Sequence, residues 1–251
     1  MGVRTMRARE HWEAVYGSKD PSQVSWYRPH LERSLRFIEE ARLDRDAAII
    51  DVGGGASTLV DDLVARGYRN VSVLDVSPKA LESAQARLAE RAPAVHWVVA
   101  DITQAELPSH AYDFWHDRAV FHFLRDEDQR HRYVSAVRRS VKPGGHILVA
   151  TFGLEGPTRC SGLGVMRYGP EELHAEFGSG FQKVGSLTEI HSTPWGAEQQ
   201  FVYCYCRLLD PNRGPCPSPT AGRPSGRACS ASDSLRFSRD CSPHDHSRPA
   251  G

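Results

Sequence analysis

The stretch AIIDVGGGASTLVDDLVARG, residues 48 to 67, constrains the fold more than any other part of the chain. An apolar run meets Asp51, passes through Gly53, Gly54 and Gly55, and enters a segment with Leu59, Leu63 and Val64 on one helical face and Gly67 at its end. That pattern predicts a strand, a tight turn and a helix. Glycines let a backbone turn sharply and approach a ligand without Cβ interference, and the first turn of a helix offers N–H groups. The dinucleotide fingerprint wants another glycine at position 58, where this chain has Thr58. On the glycines alone, a plain strand-to-helix turn and a ligand cradle both stay open.

The rest of the folded part repeats the same alternation. NVSVLDV (70 to 76), AVHWVVADI (94 to 102), YDFWHD (112 to 117) and GGHILVATF (144 to 152) read as further strands. SPKALESAQARLAER reads as a helix, with Ser77 as N-cap and Pro78 at the first helical position. DEDQRHRYVSAVRRSVKPGG carries acids early and bases late, as the helix dipole favours. PEELHAEF is another helix, and FQKVGSLTEIHST and EQQFVYCYCRL, separated by PWGA, form an antiparallel hairpin. Alternating strands and helices predict a parallel sheet covered on both faces. Ligands of such sheets bind at the carboxyl ends of the strands, where DVGGGAS sits.

Two more acids fall at strand ends. Asp75 closes the second strand, where a carboxylate can accept from both hydroxyls of a ribose, and Asp101 closes the third, near where an adenine amino group would lie. A single strand-terminal Asp is commonly a cap. Asp51, Asp75 and Asp101 at successive strand ends, the first beside a glycine turn, describe a pocket for an adenosine.

In order, DVGGGAS, LDVS, ADI, YDFWHDRAVFHFL and VKPGG resemble the motifs of the class I S-adenosylmethionine-dependent methyltransferases over residues 10 to 208, with Ser57 where the usual DxGxGxG ends in glycine. The resemblance implies an α/β fold, a Rossmann-like three-layer sandwich whose seven-stranded, mostly parallel sheet ends in an antiparallel hairpin. It implies S-adenosyl-L-methionine as cofactor and methyl transfer by direct displacement. Cofactor contacts are expected from Asp51, Gly53, Gly54, Gly55, Asp75, Val76, Asp101, Ile102 and the backbone about Asp117. Trp26 and Tyr27, in a segment resembling the helix and loop that fold over the cofactor, read as an aromatic wall or as ordinary packing. Asp117, Arg118 and His122 fall where the family places residues facing the methyl group. His122, Asp117 and Tyr27 are thus the catalytic candidates, and Arg118, Arg167 and Tyr168 the substrate candidates.

A small-molecule acceptor is the leading expectation, with protein lysine as the alternative. A nucleotide-binding or dehydrogenase-like protein without methyl transfer remains a third. The chain has 31 basic and 31 acidic side chains, so nothing global favours nucleic acid. No run of eighteen apolar residues and no secretory pattern is present, so neither a membrane partner nor export is expected and the cytoplasm is the default. Six cysteines without zinc spacing read as free thiols, and no metal is expected. Residues 209 to 251 hold 7 Pro, 8 Ser and 6 Arg with Phe237 as sole aromatic, a composition that cannot bury enough apolar surface to fold. Two parts are therefore expected, a methyltransferase domain at 1 to 208 and a disordered tail; Cys241, His244 and His246 in that tail do not make a metal site.

Overall fold

The computed structural model describes residues 3–18 and 20–210. The Pro-, Ser- and Arg-rich segment from position 211, with Cys241, His244 and His246, lies outside the described residues. The chain opens with helix α1 (Val3–Ser18) and α2 (Glu32–Glu40). It continues through β1 (Ala48–Val52), α3 (Leu59–Ala65), β2 (Asn70–Asp75), α4 (Pro78–Leu88) and β3 (Val95–Val99). Then come β4 (Tyr112–Arg118), α5 (Glu127–Ser140), β5 (Val141–Phe152), a small hairpin of β6 (Arg159–Cys160) and β7 (Leu163–Gly164), α6 (Pro170–Ala175), β8 (Phe181–Ser192) and β9 (Glu198–Leu208). No described helix is long and apolar enough to cross a membrane.

Seven strands form one sheet in the order β3-β2-β1-β4-β5-β9-β8. The first five pair in parallel, and β9 runs antiparallel to both β5 and β8. This is the expected Rossmann-like sheet with its closing hairpin. Strand order reverses between β1 and β4, where a crevice opens at the carboxyl ends. A parallel strand covered on both faces must be apolar on both, and every residue of β1 is buried. Ile50 and Val52 pack on one face with Trp115 and Tyr133, and Ile49 on the other with Leu59, Leu63 and Leu81. Leu59, Val60 and Leu63 of α3 are wholly enclosed. Each contributes up to about 2 kcal/mol by burial, which fixes this helix against the sheet directly below the glycine turn.

Helix α4 starts as expected: Ser77 accepts from the Ala80 N–H at 3.2 Å, and Pro78 follows it. Helix α3 starts at Leu59, two residues after Ser57. Its N-cap is Thr58, which makes no side-chain cap, and Ser57 Oγ instead accepts from the Leu59 N–H at 3.2 Å. Cys204 and Cys206, two apart on β9, share a buried face, their sulfurs 3.3 Å apart.

Candidate functional site

The glycine turn is shaped by what surrounds it. Gly53 adopts φ +68°, and a Cβ there would fall 1.9 Å from Val120 Cγ2. A Cβ on Gly54 would meet Asp51 Oδ2 at 2.5 Å, and one on Gly55, at φ +22°, would meet Asp75 Oδ2 at the same distance. The turn is therefore bare because two carboxylates and the Val120 side chain press on it. Its first amides are not an anion cradle: Gly53 and Gly54 N–H both donate to the Leu74 carbonyl, at 2.7 and 3.3 Å. From outside, Arg87 on α4 donates to the carbonyls of Ala56 and Ser57 and grips Asp61.

Each acid has a defined setting. Asp51 is 2% exposed; its Oδ1 lies 2.7 Å from His116 Nδ1, and its Oδ2 is buried with no partner among the described residues. His116 Nε2 in turn meets Ser34 Oγ at 2.8 Å. Ser34, His116 and Asp51 thus have the composition of a nucleophilic triad, yet Ser34 is wholly buried and cannot reach a substrate. The array works as an anchor that holds one Asp51 oxygen in place and leaves the other for a ligand. Asp75 accepts from the Ser77 N–H at 2.9 Å, and burial, reinforced by the charge on Asp51, pushes its carboxyl up to about 7. Asp101 lies two residues beyond the end of β3, where it accepts from the N–H and hydroxyl of Thr103 at 2.9 and 2.8 Å.

Asp51, Gly53, Gly54, Asp75, Val76, Asp101 and Ile102 line one cavity of about 450 Å³, and Trp26 and Tyr27 line it too. Its cover comes from α1 and the loop that follows. Trp12 packs edge-on against Trp26 and Phe123, and Tyr16 against Trp26, with ring centres 5.2 to 6.4 Å apart. Glu13 ties α1 to the start of α4, accepting from Ser77 Oγ at 2.5 Å and the Lys79 N–H at 3.1 Å. The loop bearing Trp26 is fastened to the sheet at several points. Arg118 donates to the Trp26 carbonyl, Thr58 to that of Arg28, and Arg28 Nε to His191 Nδ1, while His191 Nε2 donates to the Ser25 carbonyl. Burial, with the charge of Arg118 beside it, pushes the imidazole of His191 down to about 4.

Five of the expected site residues lie outside the cavity lining: Gly55, which faces Asp75 and Ala80, and Asp117, His122, Arg167 and Tyr168. Asp117 is enclosed on the opposite face of β4, where its carboxylate accepts from the Val120 and Phe121 N–H groups and from the Tyr133 hydroxyl at 2.7 Å. Side chains alternate along a strand, so His116 and Arg118 share one face and Asp117 points away from them. Burial pushes its carboxyl up to about 6. His122 is wholly buried between Phe123 and Phe152; its Nδ1 accepts from the Phe152 N–H, so that lone pair cannot take a proton from an acceptor. Burial, then Arg118, holds it down at about 3. Arg167 donates to the carbonyls of Leu154 and Gly156 and so braces the loop after β5. Tyr168 is a core ring against Phe121. Arg118 does line the cavity, and Trp12, Tyr16, His116 and Phe123 join it unannounced. The Trp12–Tyr16 spacing on a helix was the visible signal for two of them, whereas His116 is found only through its register opposite Asp51.

The glycine cradle, the partnerless Asp51 oxygen and the two further carboxylates fit an adenosyl amino acid, a ligand with hydroxyl and ammonium donors. A family model described as a methyltransferase domain matches residues 49–145. That match spans less than half of the chain; with the sheet order, it supports an S-adenosylmethionine-dependent methyltransferase of class I fold. Its cofactor is S-adenosylmethionine, and the dehydrogenase-like alternative is set aside. Human EEF1A lysine methyltransferase 2 is 22% identical over 193 residues, which are 71% of this chain and 76% of that protein. An uncharacterized methyltransferase of Mycobacterium bovis is 36% identical over 104 residues, 41% of this chain and 50% of that one. The solved 1,6-didemethyltoxoflavin-N1-methyltransferase of Burkholderia thailandensis, with 1,6-didemethyltoxoflavin and S-adenosylhomocysteine bound, shares the fold. Its TM-score is 0.56 at 18% identity, covering 82% of this chain and 86% of that one.

Proposed function

We propose that this methyltransferase acts on a small-molecule acceptor in a cytoplasmic setting. The observation that carries the reading is the roofed cavity, about 450 Å³, in which the cofactor residues and the aromatic cover meet. That size is typical of small-ligand sites. In it Asp75 accepts from the ribose hydroxyls, Asp101 takes the adenine amino group, and Val76 and Ile102 flank the base. Asp51 Oδ2 accepts from the ammonium, and Gly53 and Gly55 give room for the amino acid end. When bound, S-adenosylmethionine supplies a methyl group already activated by its sulfonium. The protein's task is then to align the acceptor and exclude water, which suits a cover built from Trp12, Trp26, Tyr27 and Phe123.

Calorimetry with S-adenosylhomocysteine and NADH tests the cofactor half: the first binds and the second does not, and the reverse result ends the proposal. Screening acceptors by release of S-adenosylhomocysteine tests the other half. A second reading, methylation of a protein lysine, is favoured by the similarity to human EEF1A lysine methyltransferase 2 over 71% of this chain. Tritiated cofactor would then label a discrete protein band in lysate.

A further inference from the structure

The cavity wall that the cofactor residues leave over is cationic. Among the described residues the carboxylates lining the cavity are Asp51, Asp75 and Asp101, all at the ends of β1, β2 and β3. A ligand reaching across those three ends points its amino acid portion toward the next strand, β4, whose last residue is Arg118. The remaining ionisable lining includes Arg7, Arg28, Arg118, Arg125 and His11, with no acid among them.

Arg118 is incompletely satisfied. Its Nε donates to the Tyr203 hydroxyl at 3.3 Å and its Nη1 to the Trp26 carbonyl at 3.0 Å, while its guanidinium lies 4.3 Å over the Phe201 ring. Its Nη2 is buried with no partner among the described residues. A buried charged N–H left without an acceptor is costly, so the site favours a ligand that brings one. The neighbouring carboxylate, Glu189, is already shared: Arg28 and Arg33 approach it at 3.2 and 3.8 Å, and the Tyr203 hydroxyl donates to it at 2.9 Å. One acid among three guanidiniums leaves local positive charge in excess. His191 and His122 feel it, both held neutral by burial and by Arg118.

Resting on the small-molecule reading above, the geometry points to an aromatic carboxylate as acceptor, its carboxylate received by Arg118 Nη2 and its ring by the Trp12, Trp26 and Phe123 wall. A lysine ammonium would enter the same space against an unneutralised guanidinium, with no acid to receive it. A planar carboxylate answers both the charge and the aromatic lining.

The test uses the full chain saturated with S-adenosylhomocysteine, titrated calorimetrically with benzoate, 4-hydroxybenzoate and indole-3-acetate, with their primary amides, and with benzylamine. The carboxylates should bind about tenfold or more tighter than the amides, and benzylamine weakest of all. Arg118→Met should shrink the carboxylate preference to about threefold or less, whereas Arg118→Lys, which keeps the charge, should retain most of it. S-adenosylhomocysteine affinity is measured first on each variant, so that loosening of the cover loop through the lost Arg118–Trp26 contact is told apart from loss of the carboxylate preference, which is a ratio of acid to amide affinities on the same variant. Equal binding of acids and amides, tightest binding of benzylamine, or no binding of any probe overturns the inference even when the cofactor product binds well. Failure of S-adenosylhomocysteine to bind the native chain is a different result, which removes the underlying methyltransferase reading as well. The native comparison needs no variant, so it stands if Arg118→Met fails to fold.

Discussion

At the scale of single residues, the site's glycines and acids were legible in the sequence, and the side chains that hold them were not. Asp51, Asp75 and Asp101 could be read because each ends or follows a strand of recognisable composition. His116 could not, because only the pairing of β1 with β4 brings it opposite Asp51. Asp117 points away from the cavity because neighbours in sequence on a strand face opposite ways, and His122, in the turn after β4, is drawn under Phe152, a contact that only the tertiary fold creates. Two substitutions probe this layer. Gly53→Ala puts a methyl 1.9 Å from Val120 Cγ2 at φ +68°. Overpacking and left-handed strain together should cost about 3 kcal/mol and abolish S-adenosylhomocysteine binding. Adding Val120→Ala should recover part of the loss in denaturant melts, the remainder being backbone strain. Asp117→Asn turns an acceptor of three hydrogen bonds into a group that presents donors to donors. It should lower stability by about 2 to 4 kcal/mol, with cofactor affinity of the folded protein nearly unchanged. A catalytic Asp117 would show the opposite split, intact stability with lost turnover.

At the scale of elements, the alternation of strands and helices was readable because parallel strands are apolar on both faces and helix caps have local signatures. Strand β5 begins at Val141 rather than Gly144, since Val141 already pairs with Tyr112 of β4, ahead of a register shift. The β6–β7 hairpin inside the long glycine-rich connection has only two residues per strand and no periodicity to detect. The cover loop is tied to pH through His191. His191 is held near 4, below its ordinary 6.5, by burial first and then by the charge of Arg118, and in that neutral form its Nδ1 accepts from Arg28. The unfolded chain therefore binds a proton that the folded one refuses between about pH 6.5 and pH 4. The stability this contact contributes is complete above pH 6.5 and is lost as pH falls toward 4. Hydrogen exchange of residues 24 to 28 should quicken over that window in the native protein. In His191→Gln exchange should already be fast at pH 7, with the acid dependence flattened; an unchanged profile would show that the loop is held by something else.

At the scale of the whole molecule, the order β3-β2-β1-β4-β5-β9-β8 gathers three acids from distant parts of the chain along one sheet edge, so cofactor binding reports on the fold as a unit. Asp75 makes that report pH-dependent. Its carboxyl sits at about 7 in the free protein, above the 3.8 of an exposed Asp, because burial disfavours its charge. The folded state thus holds a proton that the unfolded state has lost, and this group lowers the stability of the free protein as pH rises from about 4 to 7. With Asp75 on the ribose as proposed, ligand binding has the opposite slope, since accepting from two ribose hydroxyls requires the ionised form. At pH 6 most molecules must release a proton to bind, and at pH 8 few must, so affinity for S-adenosylhomocysteine should rise about tenfold between them. At one hundred times its dissociation constant, the ligand stabilises by about 2.7 kcal/mol, which for a chain of this size is roughly 5 to 10 °C in melting temperature. At a fixed ligand concentration the shift should therefore be about 3 to 5 °C larger at pH 8 than at pH 6. Asp75→Asn should bind more weakly and show no such difference. Equal shifts at the two pH values in the native protein would remove Asp75 from the ribose, whatever the acceptor proves to be.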